Sequence, residues 1–274
     1  MKSDPYKAVA AKVESVVDET PTIKTFRFKP VEPIPFKAGQ FVELSVPGYG
    51  EAPFTPSSSP AISDHMEITI MRAGTLTERI HTLKAGDDVG IRGPLGQPYP
   101  LDKYKGKEVL IVGGGVGLAP LRALLFGLFQ EIDAYKKIIL RYGARTPSDL
   151  VYRDAVSKAW DKKQLDVMLS VDKRDESWKG NEGVVTTILE KGKLSCDPKN
   201  GVAVVCGPPI MMKFATLKVL ELGYAPENIY LSMEKNMSCG IGKCGHCRIG
   251  PYYACKDGPV FAYAQIQNES KIWD

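Results

Sequence analysis

With 274 residues, the chain has room for two compact domains and a small appendage. Hydrophobic residues make up 43% and charged residues 25%, the balance of an ordinary globular protein. A formal net charge of +4 is too mild for an electrostatic footprint of nucleic-acid-binding size, which excludes that class.

Residues 1–17 carry Lys2, Asp4, Lys7, Lys12 and Glu14 and no long apolar run, so a secretory signal is not expected and a cytoplasmic location is. Over the first hundred residues, alternating or apolar stretches at 9–17, 23–28, 41–46, 66–71 and 89–91 read as short strands. Proline- and glycine-rich turns at 30–35 and 47–50 separate them. Closely spaced strands with such breaks predict a small antiparallel β barrel. From Gly106 the pattern changes to strand and helix in alternation. Strands are expected at 109–112, 138–142, 165–170, 202–206 and 229–232. Helices are expected at 118–130, from about 149 to 162 with Thr146 or Ser148 as cap, and after Cys206 from Pro208-Pro209. This alternation predicts a doubly wound parallel sheet, hence a β barrel plus an α/β unit. The apolar stretch 109–129 is interrupted by three glycines, Pro120 and Arg122, so direct membrane insertion is not expected. After Ser232 regularity fades, and a tail of roughly forty residues closes the chain, small enough that a metal centre would help to order it.

Six cysteines are unevenly placed. Cys196 and Cys206 stand alone, whereas Cys239-x4-Cys244-x2-Cys247-x7-Cys255 lies in MSCGIGKCGHCRIGPYYAC. Four thiolates hold either a tetrahedral zinc or an iron–sulfur cluster. Structural zinc sites usually offer two separated pairs in sequence, whereas C-x4-C-x2-C with a later fourth cysteine is the plant-type [2Fe–2S] order. Glycines at 240, 242 and 245 let the backbone turn tightly, so amide N–H groups can point at cluster sulfurs. His246 lies inside the loop and is read as a solvated residue, because four cysteines suffice.

Gly113-Gly114-Gly115-Val116-Gly117-Leu118-Ala119-Pro120 follows a strand and opens a helix. Such a loop permits close approach of a pyrophosphate, which a helix N-terminus favours electrostatically. It is not the G-x-G-x-x-G fingerprint, since Pro120 stands where a third glycine is expected. A second loop, Cys206-Gly207-Pro208-Pro209, ends a later strand of the same expected sheet. Ligands of open α/β sheets bind outside the carboxyl ends of strands, so both loops are placed to flank one nucleotide, with Cys206 near the nicotinamide. Asp172 is of the type that holds a ribose hydroxyl, whereas Lys173 and Arg174 suit a 2′-phosphate and Arg145 serves either. Solvated surface charge is the alternative for all four.

Together these motifs resemble the ferredoxin–NADP reductase superfamily over nearly the whole chain. The tail is similar to its iron–sulfur electron-transfer subunits: those of sulfhydrogenase (the gamma subunit), of anaerobic sulfite reductase and of dihydroorotate dehydrogenase. MSCGIGKCGHCRIG with CKDGPVF is most similar to the first two, because the third type usually has a longer gap before its last cysteine. The resemblance implies a FAD-binding barrel over 1–104, an NAD(P)-binding domain over 105–232 and a [2Fe–2S] segment over 233–274. The family's flavin motif, Arg-x-Tyr-Ser/Thr, is matched by Ala52-Pro53-Phe54-Thr55. Phe54 is thereby expected to stack on the isoalloxazine and Thr55 to approach its N5, with the usual arginine missing. Gly74-Thr75-Leu76-Thr77 is expected to give backbone and hydroxyl donors to the FAD pyrophosphate, with Arg72 replacing some of the missing charge. Without the resemblance, Gly74-Thr75 is a strand-end turn and Phe54 a loop aromatic.

These three centres make one chemical sense. Nicotinamide gives two electrons as hydride, a [2Fe–2S] cluster accepts one, and a flavin takes the pair and releases it stepwise. Hydride transfer needs no acid–base side chain, so His65 and His81 are read as surface or barrel residues. The expected function is an NAD(P)H diaphorase subunit serving the catalytic and iron–sulfur subunits of a redox complex such as a hydrogenase or sulfite reductase. A stand-alone reductase for ferredoxin and a non-enzymatic scaffold with structural zinc are the alternatives.

Overall fold

The computed structural model describes residues 4–156, 160, 165–190 and 192–273. The chain begins with β1 (Val9–Thr20), β2 (Ile23–Pro30), β3 (Phe41–Val46), β4 (Gly50–Phe54) and β5 (Met66–Met71). A short helix, α1 (Thr75–Ile80), and β6 (Asp88–Leu95) complete the first unit. These strands form one sheet in the order β4-β3-β6-β1-β2-β5, with every pairing antiparallel. Alternation drives the curl: on β2, Phe26 and Phe28 are fully buried while Lys24, Arg27 and Lys29 reach toward water. A bridge between Pro56 and Ile68, with Ser57 N–H donating to the Glu67 carbonyl at 2.7 Å, joins the chain leaving β4 to β5 and closes the barrel.

The second unit begins with β7 (Glu108–Gly114), whose run Val109 to Val112 is fully buried, as suits the centre of a parallel sheet. α2 (Leu118–Gln130), β8 (Lys137–Ala144), β9 (Leu165–Val171), β10 (Asn181–Glu182), β11 (Gly201–Cys206), α3 (Pro209–Glu221) and β12 (Ile229–Ser232) follow. The sheet order is β10-β9-β8-β7-β11-β12, all parallel, so the winding reverses between β7 and β11. The membrane question at 109–129 resolves into β7, the glycine loop and α2. Among the described residues no helix is long and apolar enough to cross a bilayer.

Two expectations change. The tail is more regular than its sequence implies: it holds the hairpin β13 (Arg248–Ile249) and β14 (Tyr252–Tyr253), then β15 (Val260–Ala262) and α4 (Tyr263–Ile266). β15 pairs antiparallel with β12, so the tail supplies the edge strand of the nucleotide sheet, and Phe261 and Ile266 share a core with Leu231 and Met233. The helix expected over about 149–162 does not begin at Asp149. Thr146 caps only a single 3-10 turn, Pro147–Asp149, with the Asp149 carboxylate accepting the Thr146 N–H at 3.1 Å; Tyr152 at φ +53° interrupts the run, and helical residues begin at Arg153. Residues 157–159 and 161–164 of that expectation lie outside the described residues.

One carboxylate ties the two units together. Glu67 on β5 meets Arg27 at 2.9 Å and Arg122 of α2 at 2.7 Å, and Arg122 also donates to the Ser57 carbonyl at 3.2 Å and lies over the Tyr152 ring. Burial alone would raise the Glu67 pKa, but hydrogen bonds from Arg122 and then Arg27 outweigh it and hold the group below the carboxylate range. A depressed folded pKa gives stability that is present above the unfolded value and lost as pH falls through the folded one. Glu67→Gln is therefore expected to lower stability at neutral pH by about 1–3 kcal/mol, discounted for the partial exposure of Arg27. The difference from wild type should narrow in acid, as denaturant titrations at several pH values will show.

Candidate functional site

The four tail cysteines stand as two pairs. Cys247 donates its thiol hydrogen to Cys255 Sγ at 3.2 Å, and Cys239 lies beside Cys244, whose N–H it accepts at 3.4 Å. Further amides point at the sulfurs, Lys243 N–H to Cys239 Sγ at 3.3 Å and Gly242 N–H to Cys255 Sγ at 3.0 Å. Gly240 makes the first turn of the loop at φ +70°, where a Cβ would lie 2.9 Å from both Glu43 Oε1 and Leu95 Cδ1. Cys247 and Cys255 are buried, Cys239 is half-buried and Cys244 is exposed.

Burial opposes ionisation of Cys239, but the amides of residues 244, 241 and 243 outweigh it and bring the thiol down to about 6, a thiolate at neutral pH. Burial, then the neighbouring Cys247, pushes Cys255 up to about 12. Crowded sulfurs faced by amide donors fit a metal centre that supplies the missing positive charge. Among the described residues, no three His, Cys, Asp or Glu side chains converge on the position of a single ion. His246 is exposed, as read from the sequence, and its Nδ1 lies 2.7 Å from Ser238 Oγ.

At the barrel mouth, Pro53, Phe54 and Thr55 are half-buried at the end of β4, and Phe54 packs against the core. α1 packs against β4. Arg72, Gly74 and Thr75 are exposed, and a Cβ at Gly74 would meet nothing within 4 Å, so the turn is open to solvent. Thr77 is engaged locally: its hydroxyl donates to the Gly74 carbonyl at 2.8 Å and accepts the N–H groups of Ala73 and Gly74. Leu76 packs against the core.

The two glycine loops meet where the winding reverses. Cys206 is opposite Gly113 in the β7–β11 register, and a Cβ on Gly117 would lie 2.6 Å from the Cys206 carbonyl oxygen and Gly207 Cα. Gly113 and Gly114 are buried against Leu121 and Met211, and Ala119 is buried in the first turn of α2, whereas a Cβ at Gly115 would face open space. Pro120 and Gly207 are half-buried and Pro208 is exposed. A buried hydroxyl absent from the sequence reading holds this loop: Tyr142 donates to the Gly115 carbonyl at 3.1 Å and accepts the Val151 N–H at 3.1 Å. Only its place inside an apolar strand hinted at a purpose. Tyr142→Phe is expected to raise the KM for NAD(P)H several-fold with little change in kcat, since one loop hydrogen bond is worth about 1 kcal/mol. Steady-state kinetics will check this.

Cys206 is buried, and burial pushes its thiol up to about 12, so it stays neutral. It is therefore unsuited to act as a nucleophile, and alkylating reagents at neutral pH should leave it unmodified in the folded protein, as mass spectrometry will show. Arg145, Asp172 and Arg174 are exposed at the ends of β8 and β9. Asp172 N–H donates to the Ala144 carbonyl and Lys173 N–H to the Arg145 carbonyl, which brings them together, and Arg174 pairs with Glu182 at 3.2 Å. Of the histidines, His81 is half-buried in the barrel with Nε2 at 2.9 Å from the Ile70 carbonyl, and His65 pairs with Asp64. Glu43 and Arg92, both buried beneath the cysteine loop, also escaped the sequence reading. Burial pushes Glu43 up to about 7, with Arg92 opposing.

Three family models match the chain: the oxidoreductase FAD-binding domain over 10–99, the oxidoreductase NAD-binding domain over 111–216, and the iron–sulfur cluster binding domain of dihydroorotate dehydrogenase B over 234–267. The chain is 36% identical over 252 residues to sulfhydrogenase 1 subunit gamma of Pyrococcus furiosus, covering 89% of this chain and 85% of that protein. The chain belongs to this family of ferredoxin reductase-like iron–sulfur flavoproteins. Another family member, the probable dihydroorotate dehydrogenase B electron transfer subunit of Methanocaldococcus jannaschii, is 34% identical over 88% of this chain and 83% of its own length. In three dimensions, the flavoprotein fold matches the solved structure of an NADH-dependent reduced ferredoxin–NADP oxidoreductase. The TM-score is 0.76 at 26% identity, over 93% of this chain and 89% of that one. A Neisseria gonorrhoeae ferredoxin NADP+ reductase matches with a TM-score of 0.72 at 20% identity over 82% of this chain and 98% of that one, which shows the shared fold.

Proposed function

We propose that this flavoprotein passes hydride between NAD(P)H and FAD, and single electrons between FAD and a [2Fe–2S] cluster, as the electron-transfer subunit of a larger redox complex. When bound, the flavin converts a two-electron carrier into a one-electron source, and the cluster carries the single electrons. The observation that carries the reading is the pairing of four sulfurs in a tail that packs against both sheets. Each iron of a sulfide-bridged pair takes two thiolates, so Cys239 with Cys244 and Cys247 with Cys255 fit two irons better than one zinc.

The chain's own residues bind, orient and exclude water. Residues 1–104 would hold FAD, with Phe54 under the ring system, Pro53 and Thr55 at its edge, and Arg72, Gly74, Leu76 and Thr77 forming the phosphate turn. Residues 105–232 would hold the nicotinamide dinucleotide across the β7–β11 crevice, with the pyrophosphate above Gly115 and Gly117 at the start of α2. Gly113, Gly114, Ala119 and Pro120 would shape that loop from below. Cys206, Gly207 and Pro208 would border the nicotinamide, the neutral Cys206 thiol keeping the pocket dry. Arg145, Asp172 and Arg174 would meet the adenosine ribose. Residues 233–274 would hold the cluster and present its exposed edge, at Cys244, to the partner. The relatives named as subunits of sulfhydrogenase and dihydroorotate dehydrogenase complexes support a partner of that kind.

Addition of NADH or NADPH to the anaerobically purified protein tests the reading. Flavin and iron–sulfur absorption should bleach together within turnover time. Nicotinamide oxidation with the long-wavelength iron–sulfur band unchanged would overturn it.

A further inference from the structure

The cysteine loop lies on two charged side chains that the functions assigned above leave unused. Glu43 and Arg92 face each other directly across β3 and β6, between neighbours Val42, Leu44 and Ile91 that belong to the core. Glu43 is 1% exposed and Arg92 3%, with Gly240 of the cysteine loop close against both. A charge removed from water persists only where it is paired and hydrogen-bonded. Arg92 meets that condition with three acceptors on three segments. Its Nη2 donates to Glu51 Oε1 at 2.7 Å, and its Nη1 donates to the carbonyls of Cys239 at 3.2 Å and Pro5 at 3.1 Å. The guanidinium also lies 6.0 Å from the Tyr6 ring, over which Lys243 Nζ sits at 5.3 Å. One side chain thus joins β6, the strand leading to Phe54, the N-terminal segment and the first cysteine of the cluster string.

We propose that Arg92 is a positioning residue for the iron–sulfur centre: it locks the Cys239 turn onto the flavin barrel, and its buried positive charge makes the centre easier to reduce. The inference rests on reading the four tail cysteines as cluster ligands. Reduction adds negative charge next to the Cys239 turn, and a buried cation there favours the more negative state. An arginine stays charged at every working pH. Glu43 and Glu51 offset part of the charge, which keeps the expected effect near tenfold. The planar fork supplies a second contribution, because three acceptors at different angles are met by guanidinium geometry and not by an ammonium.

The two contributions separate in Arg92→Met and Arg92→Lys, studied in the full chain purified anaerobically with FAD and iron. Redox titration followed by electron paramagnetic resonance and flavin absorption is combined with limited proteolysis of 236–257. Arg92→Met should shift the cluster's reduction equilibrium about tenfold toward the oxidised state, about 59 mV for one electron, with the flavin midpoint unmoved. Arg92→Lys should keep the wild-type midpoint within about threefold, because the charge remains. Both variants should be cut faster than wild type in the loop. A wild-type midpoint in Arg92→Met, or an equal shift in both variants, overturns the charge assignment. Wild-type protection of the loop in both overturns the locking role. If Arg92→Met does not retain iron, Arg92→Lys decides: a wild-type midpoint with a loosened loop supports the proposal, and any other pair of results overturns it. Absence of a cluster signal from the wild-type protein would instead strike the reading of the cysteines, before any variant is compared.

Discussion

Cys247→Ser is expected to abolish electron delivery to one-electron acceptors, by about a thousandfold or more, while NAD(P)H still reduces the flavin. Cys247 is buried, and its sulfur lies 3.2 Å from Cys255, so its loss breaks one of the two sulfur pairs from inside the tail. A hydroxyl is a poor ligand for iron, and residues 234–246 of the cysteine loop place no fully buried side chain in the core, so the metal is what would order them. Loss of the centre should therefore also loosen residues around 236–257 without unfolding the barrel. Stopped-flow reduction, measured with a nicotinamide donor and then with a one-electron acceptor, separates the two half-reactions. Equal loss in both would show that the cysteines support the flavin site and not a separate centre.

Gly117→Ala should carry the second largest effect. A Cβ there would sit 2.6 Å from a backbone carbonyl oxygen and from Gly207 Cα, and neither can move without parting the glycine loop from the Cys206 loop. Backbone-against-backbone overlap of this kind costs about 1–3 kcal/mol. Dinucleotide affinity is expected to fall by about tenfold to a hundredfold, since each 1.4 kcal/mol is a factor of ten. Flavin content and the cluster spectrum should remain unchanged, because the overlap falls on the Cys206–Gly207 backbone of the nucleotide sheet. Nicotinamide binding followed by fluorescence or equilibrium dialysis checks it, and unaltered affinity would rule out the crevice between β7 and β11 as the dinucleotide site.

Much of this was legible because it is local. The apolar runs of β7, β8 and β11, the glycines that follow β7 and the cysteine spacing are properties of short segments. What escaped depends on contacts far apart in sequence. β4 starts with a glycine and contains Pro53, and only its pairing with β3 makes it a strand. α1 is too short to show a helical period. β15 is three residues long and is defined by the exposed edge of β12 that it covers. Arg92 looks like an ordinary surface arginine in its own strand, and it is buried because a loop 147 residues later folds over it. The Thr146–Asp149 box caps only one 3-10 turn, and Tyr152 at φ +53° delays the helical stretch expected from Asp149 to Arg153. The cluster string and the nucleotide loop were thus readable as motifs, whereas the groups that hold them in register are set by packing.

The electron-transfer reading requires two sulfide-bridged irons on the paired cysteines of the tail. Iron, zinc and acid-labile sulfide measured on one oxygen-protected preparation test it most directly. About two irons and two sulfides per chain are expected, with a paramagnetic signal on reduction. About one zinc per chain with no sulfide would contradict it.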